Sequence, residues 1–84
     1  MQKKIKRGWR ITRFGRDSHK YSERFEGKWR SIEIDGEMYA RGTPKHAIYL
    51  PTDWSNYPIW AQERASIIES RIREELKSPT YIYL

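Results

Sequence analysis

The sequence predicts an α+β fold: a three- or four-stranded antiparallel sheet packed on one long C-terminal helix, with a short apolar C-terminal tail. Three observations predict it. Much of the N-terminal half alternates polar and apolar residues with a period of two. The segment 58–77 repeats apolar residues at helical spacing. The last residues, Tyr81-Ile82-Tyr83-Leu84, are too apolar to stay in water. At 84 residues the chain reads as one domain, 1–84. A core that small has a thin stability margin. An aromatic content of 14% offsets part of this, because large rings bury much area each.

The first strand spans residues 4–14. Ile5, Trp9 and Ile11 fall on odd positions, and Lys4, Lys6, Arg10 and Thr12 on even ones. Gly15-Arg16-Asp17-Ser18 is rich in turn formers and closes it. Residues 20–25 form a second extended stretch, with Tyr21 and Phe25 on one face. Glu26-Gly27 reads as a turn or as a bulge within one longer strand. Residues 28–34 are the next strand. Its parity sets Lys28, Arg30, Ile32 and Ile34 against Trp29, Ser31 and Glu33. Parity alone leaves open which set faces the helix.

Asp35-Gly36 sits between two alternating runs, a strong hairpin signal that predicts a tight turn into a strand at 37–41. Gly42-Thr43-Pro44 ends that strand. The apolar run 46–50 is a candidate for a further strand, and 51–57 is a loop. Ser55 and Asn56 are good helix-capping residues, and Pro58 suits a first helical turn. The helix is predicted over 58–77, with Ala61, Ala65, Ile68, Ile72 and Leu76 forming one stripe that Ile59, Trp60 and Ile67 widen. Glu69 and Arg73 support the wet face, and Lys77 sits at the negative end of the dipole. Ser78-Pro79 stops the helix, and the tail at 80–84 is expected to dock on the sheet or on the helix, an edge strand being one way to do so.

Charge is polarised along this chain. Residues 1–30 hold eleven Lys/Arg against three Asp/Glu, whereas 31–84 hold six against eight. A one-signed field of this kind attracts polyanions. It points to nucleic acid as partner, through Lys4, Lys6, Arg7, Arg10, Arg13 and Arg16, with Lys28, Trp29 and Arg30 on the third strand. An acidic surface on a larger protein is the alternative target. In that case the protein would be a module that inhibits or adapts a host enzyme, with its interface at 46–57 and 81–84.

The absence of cysteine excludes disulfides, thiolate metal sites and a cysteine nucleophile. It fits a reducing compartment. No apolar run is long enough to span a bilayer, and the basic N-terminus lacks the apolar stretch of a secretory signal. The expectation is a soluble, cytoplasmic protein, complete from Met1. His19 and His46 each lie beside a lysine, the pattern of surface histidines. No carboxylate or histidine cluster has metal-ligand spacing, and no glycine-rich phosphate loop is present. Neither catalysis nor a cofactor is expected.

Gly27-Lys28-Trp29-Arg30, a strand, Asp35-Gly36, a strand and then Arg41-Gly42-Thr43 together resemble the AP2-type DNA-binding domain. That fold also occurs in arm-binding domains of phage integrases. The likeness covers about residues 20–43 and, more thinly, 58–72, where Ala61 and Ala65 echo an alanine-rich helix. It implies a sheet that reads DNA with Arg10, Lys28, Trp29 and Arg30. DNA is expected ahead of RNA or a ribosome, and the small size with dense basic-aromatic content suits a phage-like or mobile-element accessory protein. Residues 44–57 stand between the last strand and the helix, where the family passes almost directly from one to the other.

Overall fold

A computed structural model describes residues 8–39, 45–77 and 80–83. Its strands are β1 (Trp9–Phe14), β2 (Ser18–Phe25), β3 (Lys28–Ile34), β4 (Gly36–Tyr39), β5 (Lys45–Ile48) and β6 (Tyr81–Tyr83). Two short helices, α1 (Ile59–Glu63) and α2 (Ala65–Glu75), lie between β5 and β6. Two three-stranded sheets form. Sheet 1 has the order β1-β2-β3 and is antiparallel throughout. Sheet 2 has the order β4-β5-β6, with β4 antiparallel and β6 parallel to β5. The expectation of one sheet on one long C-terminal helix is therefore corrected: there are two sheets, and the helical segment is divided.

The division falls at Arg64. Its backbone has φ −114° and ψ 17°, outside the helical region, and its N–H bonds the Ala61 carbonyl at 3.1 Å. The Arg64 side chain meanwhile reaches Glu23 on β2. A break of one residue leaves the apolar stripe in register, which is why periodicity did not register it. Ala61, Ile68, Ile72 and Leu76 are buried as the stripe requires. Ala65 is only half-buried, and Ile59 and Ile67 are exposed. Pro58 itself stands at the N-cap, with no side-chain cap.

The hairpin expected at Asp35-Gly36 does not form. Asp35 is a lone residue at which the chain leaves sheet 1 and enters sheet 2. Gly36 lies outside the positive-φ region that a tight hairpin demands. Its lack of a side chain serves a close approach instead. A Cβ there would collide with the Ala47 carbonyl oxygen and stand 2.7 Å from that of Asp17. The two-residue turn falls at Glu26-Gly27, between paired Phe25 and Lys28, with φ of 52° and 80°. Glycine suits the second of these angles, which side chains rarely adopt.

Strand parity sorts sheet 1 into two faces. Tyr21, Ile32 and Ile34 point inward and pack with Ile48, Ala61, Ile68, Ile72 and Leu76, so the isoleucines rather than Trp29 face the helices. Trp9 and Ile11 pack against this core, as their odd positions predict. β6 docks beside β5, and the Tyr83 hydroxyl lies in hydrogen-bonding reach of the Ile72 and Leu76 carbonyls at the end of α2. The Ile72 carbonyl also accepts from the Leu76 N–H at 2.8 Å, and the Leu76 carbonyl at the helix end is met by the tail hydroxyl. The expected features at 40–44, 78–79 and Leu84 lie outside the described residues. No described helix is long and apolar enough to cross a membrane.

Candidate nucleic-acid interface

The open face of sheet 1 follows from register. Ser22 lies between Arg10 and Ser31, and Lys20 between Thr12 and Glu33. Arg24 pairs with Trp29 at one end, and Phe14 pairs with Ser18 at the other. Rows on one face of a strand are about 7 Å apart, so Trp29 and Phe14 are separated by roughly 20 Å along the strands. The floor between them is low. Ser22 and Ser31 share a hydroxyl hydrogen bond of 2.7 Å. That low floor lets the long Arg10 side chain cross β2 and lie 4.2 Å from the Trp29 ring centroid.

Each exposed ring on this face has a cation beside it. Trp29 is 42% exposed and takes Arg10 on its ring, with Arg24 at 5.9 Å. Phe14 is 43% exposed and has the Lys20 ammonium at 5.0 Å. A cation over a ring is held by the ring quadrupole without being neutralised. Arg10, Lys20 and Arg24 form no ion pair with a described residue, and among the described residues Glu33 is the one carboxylate on this face.

The inner face has three zones. In the middle, Ile11, Tyr21 and Ile32 lie side by side in the core. At one end, Trp9, Glu23 and Arg30 form a row. The Glu23 side chain is 4% exposed and meets three guanidinium groups: Arg30 at 2.7 Å, Arg64 at 2.9 Å and Arg71 at 3.6 Å. Tyr21 donates its hydroxyl to the same carboxylate at 2.8 Å and accepts from Arg71 at 2.6 Å. Burial alone would raise the Glu23 pKa. Hydrogen bonds from Arg30, Tyr21 and Arg64 outweigh it and hold the group below the usual carboxylate range. The cluster keeps two positive charges in excess. Arg30 is sandwiched between Phe25 and Trp60, at 4.3 and 4.4 Å from their centroids. Beside it opens a pocket of about 360 Å³, lined by Glu23, Arg24, Phe25, Arg30, Trp60, Glu63 and Arg64.

At the other end Arg13, His19 and Ile34 form a row that meets sheet 2. His19 and His46 are both 4% exposed, with ring centroids 4.7 Å apart, and both lie against Tyr81. His46 donates from Nε2 to the Asp17 carbonyl at 2.9 Å. Neither ring nitrogen of His19 has a partner among the described residues. Burial, with His46 and Arg13 nearby, lowers the His19 pKa from 6.5 to about 4. The reading of both histidines as surface residues is corrected. They are the seam between the sheets, and a flanking lysine points to the other side of a strand.

The residues singled out from sequence are scattered by the fold. Arg10 and Trp29 come together on the open face. Arg30 lies on the inner face, bound to Glu23. Lys28 is exposed at the hairpin end and Arg13 at the histidine end, where its guanidinium donates to the Arg16 carbonyl. Arg16 is exposed in the β1–β2 loop, 3.8 Å from Asp17. Lys4, Lys6 and Arg7 lie outside the described residues. Sequence reasoning missed Phe14, Lys20 and Arg24, although the even parity of β2 carries the last two. Among the described residues no group of His, Asp or Glu could hold a metal ion. No protein family, curated protein or solved structure matches the chain.

Proposed function

We propose that this protein binds nucleic acid through the open face of sheet 1. The observation that carries the reading is Trp29, half-exposed on an uncovered sheet with a guanidinium 4.2 Å over its ring. Bases stack on such rings, and the neighbouring cations meet phosphates. An unpaired strand fits best. The two rings stand at opposite ends of a flat floor, and stacking on either needs a base freed from a duplex. Arg10, Lys20 and Arg24 supply the phosphate contacts. The basic residues Lys3, Lys4, Lys6 and Arg7 precede β1 in the sequence, and β1 begins at the Trp29 end, where the Arg24 N–H bonds the Gly8 carbonyl at 2.7 Å. The function is binding rather than catalysis.

The test is a titration of the whole protein with single-stranded DNA, duplex DNA and structured RNA at two salt concentrations. Tight, salt-sensitive binding to unpaired strands, weakened by Trp29→Ala, is the expected result. Duplex binding that ignores Trp29→Ala would move the contact to phosphates alone. Absence of binding to all three would turn the reading toward an acidic protein partner.

A further inference from the structure

We infer that the pocket between the β2–β3 hairpin and the α1–α2 break is a phosphate-monoester subsite, which takes the terminal phosphate of a strand lying on the open face. The source of the phosphate rests on the proposed function; the anion chemistry of the pocket does not.

The pocket is walled by Arg30 from the sheet and Arg64 from the helix break, with Arg24 at its rim. Glu23 closes the floor. Its charge is already met by Arg30, Arg64, Arg71 and the Tyr21 hydroxyl, so the floor as a unit is cationic. Arg64 engages Glu23 through Nε, and its two Nη nitrogens make no hydrogen bond with a described residue. Phe25 and Trp60 hold the Arg30 guanidinium on both faces and fix its plane. Beyond the edge each gives to Glu23, Arg30 keeps Nη1 and Arg64 keeps both Nη nitrogens as donors for phosphate oxygens. Glu63 is the opposing charge on the wall, and it is exposed.

Two features select a monoester at a chain end. The pocket is backed by Glu23, Arg30 and Arg64, which suits a group that ends there, whereas a phosphodiester must also leave. A monoester brings close to two negative charges and three acceptor oxygens, and Arg24, Arg30 and Arg64 converge on the pocket to meet them. Arg24 ties the pocket to the open face, since it lines the pocket rim and stands 5.9 Å from Trp29. A strand stacked on Trp29 therefore has its end within reach of the pocket.

The experiment compares short single-stranded oligonucleotides with a 5′-phosphate, a 3′-phosphate or neither, and adds inorganic phosphate alone, followed by NMR of the arginine Nε–H signals. One phosphorylated end should bind about tenfold tighter than the unmodified strand, which is about 1.4 kcal/mol. Arg64→Gln should bring that ratio close to one. Should Arg64→Gln unfold, Glu63→Gln gives the second reading: removing an exposed wall carboxylate should raise the ratio. Trp29→Ala should weaken all three strands and leave the ratio unchanged. Equal affinity for the three strands, together with unmoved Arg30 and Arg64 signals in phosphate, would overturn the subsite. Phosphate-dependent shifts with no strand binding would keep the pocket's anion chemistry and sink the open-face reading instead.

Discussion

Arg10 and Arg30 stand on opposite faces of one small sheet, and each lies about 4 Å over an aromatic ring. Their situations otherwise differ. Arg10 is exposed and forms no ion pair with a described residue, and its ring, Trp29, is half in water. Arg30 is bonded twice to a buried carboxylate and closed between two rings. The same residue type in the two outer strands thus lies open to solvent on one side and forms an internal strut on the other. A net charge of +6 does not tell the two apart. The presence of a carboxylate partner does, and that partner is set by register.

The strongest way to break this comparison is to remove the partner. Glu23→Ala would leave Arg30, Arg64 and Arg71 crowded without a counter-charge. The cost should be about 3–5 kcal/mol, enough to unfold much of so small a protein. Chemical denaturation of the variant measures it. A loss below about 1 kcal/mol would mean that solvent screens the cluster and that both faces of the sheet are equivalent surfaces.

The histidine end of the inner face should fail in acid rather than by mutation. Folded His19 takes its proton near pH 4, and the unfolded chain near 6.5. Between these values the unfolded state binds more protons, so stability is full above about pH 6.5 and falls as the pH drops toward 4. The shift corresponds to about 3 kcal/mol at most. Charging His19 would set it against Arg13 and His46, with Asp17 and Tyr81 the other groups at the seam. Denaturation midpoints between pH 7 and 4.5 should fall for the native chain and fall much less for His19→Phe. Parallel curves would mean that the seam does not control acid stability.

These two clusters mark the boundary of what the sequence could disclose. Alternation placed β1, β2 and β3 and put Ile32 and Ile34 on one face, because a period of two survives any later packing. The apolar stripe found Ile68 and Ile72 for the same reason. Asp35-Gly36 misled because the pair that licenses a tight turn also serves a strand crossing between sheets. The choice was made by the Ala47 carbonyl, which meets Gly36 from eleven residues away. Glu26-Gly27, with a bulkier first residue, took the turn instead. Glu23 was invisible as a hub because two of its three cations lie more than forty residues downstream. Of the expected binding residues, Arg10 and Trp29 meet on one face, and that was legible once the third strand had a fixed register. Parity tied Arg30 to Ile32 and Ile34 but left their side of the sheet open, and the role of Arg30 needed Trp60 and Arg64 from the helical segment.

Trp29→Ala sharpens the comparison from the other side. The ring is exposed and outside the core, so stability should change by no more than about 0.5 kcal/mol. Affinity for an unpaired strand should fall by about 1–3 kcal/mol, the usual worth of one stacked base. Fluorescence anisotropy on a labelled strand, beside a melting curve, separates the two effects. Equal losses in both would mean that Trp29 is structural.

The smallest effect belongs to Arg10, and it is the most selective. Arg10→Gln removes one charge from the proposed binding face and also bares the Trp29 ring that the guanidinium now covers. The two consequences oppose each other at low salt, so affinity should move little there. They separate as salt rises. Loss of one phosphate contact lowers the slope of log affinity against log salt by about 0.7 on a single strand, while the bared ring stacks equally well at any salt. The native and variant titration lines should therefore cross or converge as salt increases. The matching change at Arg30 should not behave this way, because removing a cation from Glu23 costs folding stability at every salt concentration. If Arg10→Gln and Arg30→Gln both shift affinity by a constant amount with unchanged slope, neither guanidinium touches a phosphate, and the open face owes its cations to the tryptophan rather than to a ligand.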